Sequence, residues 1–342
     1  MDPVLLRQKQ KDEAVDGVLL IKDAEVRVSS TGSRYLDATV TDATGEMNAK
    51  CWDWGDQNPP ASNLPIRVRG LVKEFAGKLQ LRIDKWRPAA AEEIVWSQLV
   101  PTAPEDPEAM YGEIRDTILA LPDEDYRTIA LYLLEGNREH LMIWPAAASF
   151  HHAQRSGLLY HTVSMLRTAK ALLEVYRDLD RSLLLCGVVL HDLSKMEEIS
   201  SSAQGVPGEY TPRGMLLGHI SMGMEMVRLA GLATKMPEEK ILLLQHMLLS
   251  HHELPEFGSP RSPMIPEAEV LQAVDRLDAR LFAMREALRT TEPGTFSERV
   301  RSMDGRRLYK PLPDILASQV TVEEAGTESQ PPEEEKPAEE TP

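Results

Sequence analysis

The sequence predicts a multidomain chain of mixed class: a small five-stranded β-barrel, then an all-α domain, then an acidic tail with no fold of its own. Three observations carry this. Apolar residues fall in short alternating runs before residue 90 and in runs of helical period after residue 110. Pro88, Pro101, Pro104 and Pro107 punctuate the stretch between. From Thr321 to Pro342 there are eight Glu against one Lys and no large apolar residue after Val322. Such a segment cannot bury enough surface to offset the entropy of ordering and is expected to be disordered.

Composition sets the outer bounds. Hydrophobic residues make up 42% and charged residues 27%, enough for a sizeable core. The net charge of −16 excludes a histone-like cationic coat. Residues 16–90, with 11 basic and 10 acidic groups, stand apart at +1 and leave room for a local basic groove. Cys51 and Cys186 are the only cysteines, too few for a disulfide framework, which points to a reducing, cytoplasmic setting. Met1 to Val15 holds no apolar leader core, and the longest apolar run is Leu183–Leu190. A spanning helix needs roughly 20 residues, so no membrane association is expected.

Taken in order, residues 1–14 form an N-terminal extension. Strands are expected at Gly17–Ser29, Arg34–Thr41, Glu46–Trp54, Leu64–Phe75 and Lys78–Trp86. Asp42-Ala43-Thr44-Gly45 and Ala76-Gly77 supply tight turns. The break at Gly55–Asn63, between the third and fourth strands, fits a Greek-key barrel of the OB type over residues 15–90. Residues 91–109 read as a linker with one short apolar stretch, Ile94–Val100. Helical spacing then marks Met110–Leu121, Asp125–Glu135, His161–Tyr176, Arg181–Met196, Leu216–Leu229, Glu238–Ser250 and Pro266–Ala287. Residues 110–316 are thus an all-α domain, and 317–342 the tail.

All nine histidines lie between His140 and His252. Arg181–Met196 is apolar nearly all round, hence buried, yet it carries the adjacent pair His191-Asp192. A buried carboxylate costs several kcal/mol unless a cation or strong donors satisfy it. A helix that surfaces at its end would leave the pair in water, but other segments repeat the pattern. His161 shares a helical face with Met165, Thr168 and Leu172. His219 sits in LLGHISMG, His251-His252 closes ILLLQHMLLSHH, and Asp275 lies beside the apolar stripe of AEVLQAVDRLDARL. One such histidine is ordinarily a core residue with a backbone partner; several segments doing this together point to metal. Imidazole and carboxylate donors without thiolate suit Mn, Fe, Co, Ni or Zn. His161, His191, Asp192, His219, His251, His252 and Asp275 are too many for one tetrahedral ion. They suffice for two, bridged by Asp192, an arrangement that hydrolyses phosphoesters. His246 falls about 140° round its helix from His251 and is expected to be structural; His140 carries no signal.

At these residues the sequence resembles the HD-domain metal-dependent phosphohydrolases, whose pattern is matched by His161, His191-Asp192 and Asp275. His219 and His251-His252 look like the dinuclear subset. The stretches PAAASFHHAQRSGLLYHTVSML, HDLSK, YTPRGMLLGHI, LLSHHELPEFGSPRSP and EAEVLQAVDRLDAR, behind an OB domain, resemble the YhaM-type 3′→5′ exoribonucleases over most of residues 15–285. The resemblance implies a metal-dependent 3′→5′ exoribonuclease that hydrolyses phosphodiester bonds of single-stranded RNA, with DNA as a second substrate and a metal-bound hydroxide as nucleophile. It implies two divalent ions, Mn foremost, with Fe, Co, Ni or Zn also compatible. His161, His191, Asp192 and Asp275 would hold one ion, and His219, His251 and His252 the other, with Asp192 shared. Ser194 and Ser156 stand where the family often has Gly, so the loop geometry there is expected to differ.

Asp192 and Lys195 are the expected catalytic residues. Lys195 is placed to reach a phosphate oxygen, or else serves as a helix C-terminal cation. Arg213 and Arg261 are candidate phosphate contacts, and His151 and His152 candidate pocket-lining groups. In the barrel, Tyr35 and Phe75 are the expected base-stacking residues among five candidates that include Trp52, Trp54 and Trp86. Trp52 and Trp54 should share one side of a strand. Lys50, Arg67, Arg69, Lys73, Lys78, Arg82 and Lys85 are candidates for the basic groove. Two other functions stay open: an HD-type phosphohydrolase of nucleotides or cyclic nucleotides, and a non-catalytic single-strand-binding protein. Homo-oligomerisation is open as well.

Overall fold

The computed structural model describes residues 3–52, 54–55, 57–147, 154–202, 205–252 and 258–313. The expected tail, 317–342, lies outside them. By internal contacts the chain divides into residues 1–283 and 284–342.

Five strands, β1 (Ala14–Val28), β2 (Arg34–Asp42), β3 (Gly45–Cys51), β4 (Pro65–Phe75) and β5 (Lys78–Pro88), close a barrel in the order β1-β2-β3-β5-β4. The β3–β5 pairing is parallel and the others antiparallel. This is the OB-type barrel expected. Alternation puts Leu19, Ile21, Val40, Ala49, Val68 and Leu81 inside. The Asp42 carboxylate fixes the β2–β3 turn by accepting from the Thr44 amide at 2.8 Å, while its other oxygen accepts from the Leu6 amide at 2.7 Å.

One local expectation fails. Trp52 is 48% exposed and Trp54 only 3%. The third strand ends at Cys51 rather than Trp54, so alternation lapses between the two rings. Trp54 turns inward, stacks on Trp86 at 5.1 Å and donates Nε1 to the Gln57 carbonyl at 3.0 Å.

The linker is docked rather than free. A short helix, α1 (Trp96–Leu99), buries Leu99 and Val100 with Leu20, the β1 residue that faces away from the barrel core. Residues 101–103 then pair with the start of the helical part: Arg155 donates its amide to the Pro101 carbonyl and accepts from the Ala103 amide, both at 2.9 Å.

The helical part comprises α2 (Pro107–Leu119), α3 (Glu124–Gly136), α4 (Arg138–Leu141), α5 (Gly157–Val175), α6 (Arg181–Leu190), α7 (Lys195–Glu198), α8 (Pro212–Ala233), α9 (Glu238–Ser250) and α10 (Pro266–Arg289). A two-stranded hairpin, β6 (Ile199–Ser201) and β7 (Pro207–Tyr210), separates α7 from α8. Asp106, Asp123, Asp180 and Thr211 cap α2, α3, α6 and α8 by accepting first-turn amides. Each such cap contributes about 1 kcal/mol. Helix α6 is the centre of the core, buried from Ser182 to Leu190. It ends at Leu190, not at Met196. Past that point Leu193 and Lys195 bond back three residues, to Leu190 and Asp192, so the chain tightens into a turn around His191-Asp192. Among the described residues no helix is long and apolar enough to cross a membrane.

Helix α8 starts earlier than expected and is broken at Gly218, with φ 70° and ψ 156°, immediately before His219. That region is essentially open only to glycine. A methyl group there would meet nothing closer than Glu198 Oε1 at 3.9 Å, so the cost of Gly218→Ala is one of backbone strain. Gly218→Ala is expected to destabilise the protein by about 1–3 kcal/mol. A thermal melt coincident with wild type would show that the break is not held.

In residues 284–342, two antiparallel bridges, Phe296↔Tyr309 and Val300↔Arg306, build a small hairpin after the end of α10.

Candidate metal centre

The fold brings all seven expected ligands together. His161 lies on α5, His191-Asp192 in the turn after α6, His219 after the Gly218 break, His251-His252 at the end of α9, and Asp275 on α10. All are buried except His252, which is half-buried.

Asp192 stands between two groups of donors. Its Oδ2 lies 3.3 Å from His191 Nε2 and 3.7 Å from His161 Nε2, while its Oδ1 lies 3.5 Å from His219 Nε2 and 3.8 Å from His251 Nε2. Asp275 also spans, with Oδ1 at 3.2 Å from His161 Nε2 and Oδ2 at 3.9 Å from His252 Nε2. Within His161/His191/Asp192, and within His219/His251/His252, the donor atoms lie within 4.8 Å of one another.

Each inward Nε2 is aimed by what holds the ring's other nitrogen. His191 Nδ1 donates to the Val188 carbonyl at 2.8 Å and His251 Nδ1 to the Leu248 carbonyl at 2.7 Å. Both carbonyls lie three residues back, in last turns that have no amide partner. His161 Nδ1 meets Asp278 Oδ2 at 2.7 Å, and His219 Nδ1 meets Glu198 Oε1 at 3.0 Å. Carboxylate or carbonyl partners of this kind fix the tautomer of a ligating histidine.

Sequence reasoning missed Asp278 and Glu198. Asp278 carried a signal: it lies three residues after Asp275, on the same face of α10. Glu198 carried none, since only the turn after α6 and the break at Gly218 bring it to His219.

The donor set fits a cation. Nε2 of His191, His219 and His251 and Oδ1 of Asp192 are buried without a hydrogen-bond partner. Each unsatisfied group of this kind costs about 1–3 kcal/mol, and a cation would satisfy them together. Burial alone would raise the Asp192 carboxyl pKa, but Lys195 and His191 hold it well below the usual range. Asp275 is likewise held low against burial by His161. Burial opposes charge on His161, yet Asp275 and Asp278 hold its pKa up at about 10, so a cation bound there would take the place of the Nε2 proton. Burial pushes the His251 imidazole down, so it stays neutral and able to ligate.

Lys195 opens the short helix α7, where the dipole would disfavour a cation, so the helix C-terminal role fails. Its buried ammonium lies 2.6 Å from Asp192 Oδ2, and despite burial that carboxylate keeps its pKa raised. Arg213 is exposed and held by Glu197 and Glu225, each at 2.9 Å. Arg261 is exposed, with no carboxylate partner among the described residues. His151 and His152 lie outside the described residues. His246 is structural as expected, its Nε2 accepting from the Met264 amide at 2.9 Å. His140 packs edge-on against Trp144.

Ser194 needs no glycine conformation; its hydroxyl donates to the His219 carbonyl at 2.7 Å and ties two ligand-bearing segments. Ser156 does adopt the left-handed conformation, φ 59°, and its hydroxyl donates to the Met142 carbonyl at 2.6 Å. The loop keeps the backbone that a glycine would give.

On the barrel, Tyr35 and Trp52 form a ring pair at 4.7 Å, with Lys50 Nζ 4.7 Å from the Tyr35 centroid. Phe75, at the β4–β5 turn, is 71% exposed. Most of the candidate groove cations are countered: Lys50 by Asp37, Arg67 and Arg69 by Asp16, Lys73 by Asp12, and Arg82 by Asp84. Lys78 and Lys85 have no carboxylate partner among the described residues.

A histidine–aspartate centre on stacked helices defines an HD-domain protein, here joined to an OB-type barrel, and the family profile of the HD domain matches residues 158–280. The chain is 38% identical over 309 residues to the 3'-5' exoribonuclease YhaM of Shouchella clausii, covering 90% of this chain and 96% of that one. It is 38% identical over 302 residues to the 3'-5' exoribonuclease YhaM of Bacillus subtilis, covering 87% and 95%. The chain belongs to the YhaM 3'-5' exoribonuclease family. A solution structure of the second OB-fold domain of replication protein A from Methanococcus maripaludis aligns at 14% identity and TM-score 0.22, over 26% of this chain and 95% of that one. That likeness is too slight to add to the strand pairing itself.

Proposed function

We propose that this protein is a metal-dependent 3′→5′ exoribonuclease acting on single-stranded RNA, with DNA as a second substrate. The observation that carries it is the placement of the two Asp192 oxygens against two separate histidine groups. Two divalent ions are the natural occupants, Mn foremost. His161, His191, Asp192 and Asp275 would hold one, and His219, His251, His252 and Asp192 the other. Such ions, when bound, polarise a phosphoryl oxygen and activate water.

The chain's own residues supply the rest. Asp278 and Glu198 hold the ligand rings in register, and Lys195 keeps a fixed positive charge beside Asp192 for a phosphate oxygen. Of the two candidate arginines, Arg261 is the readier phosphate contact, since Arg213 would first have to leave Glu197 and Glu225. Tyr35, joined by Trp52, and Phe75 are the proposed stacking surfaces, with residues 15–90 capturing the strand and 110–316 cutting it. The setting is cytoplasmic.

The test is cleavage of a 5′-labelled single-stranded RNA by metal-stripped protein, with Mn²⁺ added back. A ladder shortening from the 3′ end only in the presence of metal is expected. Uncut RNA together with hydrolysis of mononucleotides would sink the exonuclease in favour of a nucleotide phosphohydrolase.

A further inference from the structure

We propose that the hairpin of residues 295–310 is a second contact surface for single-stranded RNA, separate from the barrel; this rests on the nuclease function proposed above. In a chain of net charge −16, these residues carry five Arg or Lys against two Asp or Glu. Phe296 and Tyr309 face each other across an antiparallel bridge, 55% and 47% exposed, with ring centroids 5.2 Å apart. Arg307 is two residues from Tyr309, so both project from the same face, and its guanidinium lies 5.8 Å from the Phe296 ring. The opposite face is buried: Ser297 and Leu308 exchange bonds there, the Leu308 amide reaching Ser297 Oγ at 2.9 Å. The aromatic face is therefore held outward by a closed inner face.

The cations here differ from those of the barrel. Arg299, Arg306, Arg307 and Lys310 donate to the backbone carbonyls of Gly305, Met303, Ser297 and Thr291. Among the described residues, none of the four meets a carboxylate. A carbonyl positions a cation without neutralising it, so the charge remains available to phosphate. Uncountered cations around two exposed rings match a strand whose bases are unstacked and whose backbone is anionic. The chain's own acidic segment from Thr321 to Pro342 would satisfy the charge, but it contains no aromatic residue to stack on Phe296 or Tyr309.

The test uses the full chain in EDTA and a 5′-labelled unstructured RNA of roughly 20 nucleotides, longer than a single OB site, followed by fluorescence anisotropy. In the Arg299→Gln/Arg306→Gln variant, the plot of log affinity against log salt is expected to become shallower by about 1.4, two contacts at about 0.7 each. Tyr309→Ala is expected to weaken binding about fivefold or more, whereas Tyr309→Phe keeps the ring and wild-type affinity. Unchanged affinity and slope in both variants overturn the proposal. Cleavage on adding Mn²⁺ is scored separately. A wild-type ladder with unaltered binding in the variants sinks only the hairpin, while a missing ladder sinks the nuclease.

Discussion

Asp192→Asn is expected to lower kcat/KM on single-stranded RNA by about 10³-fold or more, because it removes the carboxylate that stands between the two histidine groups, with two histidines of each group facing its two oxygens. Affinity for the strand in EDTA should stay near wild type, since the proposed stacking surfaces lie elsewhere. A complication follows from Lys195, whose buried ammonium has Asp192 as its partner at 2.6 Å. Leaving a buried charge unpaired costs about 3–5 kcal/mol, so the single variant should also melt early. Asp192→Asn/Lys195→Met removes both charges and is expected to recover much of the melting temperature without recovering activity. Full activity in Asp192→Asn would mean the two histidine groups do not act through Asp192.

Asp278→Asn should shift the metal dependence rather than abolish the reaction. The carboxylate touches His161 through Nδ1, the side away from the other donors, and also accepts from the Ser164 hydroxyl. Its role is to orient the ring and to make its Nε2 a better donor. Loss of such a partner costs about 10–100-fold in metal affinity. The free Mn²⁺ concentration for half-maximal activity should rise by that factor, with the rate largely restored at saturating metal. An unchanged half-saturation would reduce Asp278 to a packing residue.

What was legible in the sequence depended on how local the cause was. Strand alternation and the Asp42–Gly45 turn are set by neighbours, and all five strands lie where they were expected to within a few residues. The overshoot at Trp54 arose because the pull into the core by Trp86 comes from a distant strand. The convergence of the seven candidate ligands was legible because polar residues on apolar faces are costly alone and therefore conspicuous. Asp278 was less so: it follows Asp275 in a segment rich in ordinary surface charge, and only the arrival of His161 from α5 distinguishes it. The countering of Arg67 and Arg69 by Asp16, and of Lys73 by Asp12, was equally hidden, since the pairing of segments distant in sequence decides which charges meet, whereas Asp84 lies two residues from Arg82 on one strand.

Helices α6 and α9 both end at the centre, where His191 and His251 follow their last residues with rings 5.2 Å apart. The aligned peptide groups of a helix leave roughly half a negative charge at its C-terminus. The main chain thus adds on the order of one elementary negative charge to the carboxylates of Asp192 and Asp275. This part of the field is a property of the fold and survives any side-chain substitution. The centre is therefore biased toward positive charge before a single imidazole lone pair is engaged, and bound cations would offset that bias for an approaching anionic phosphate.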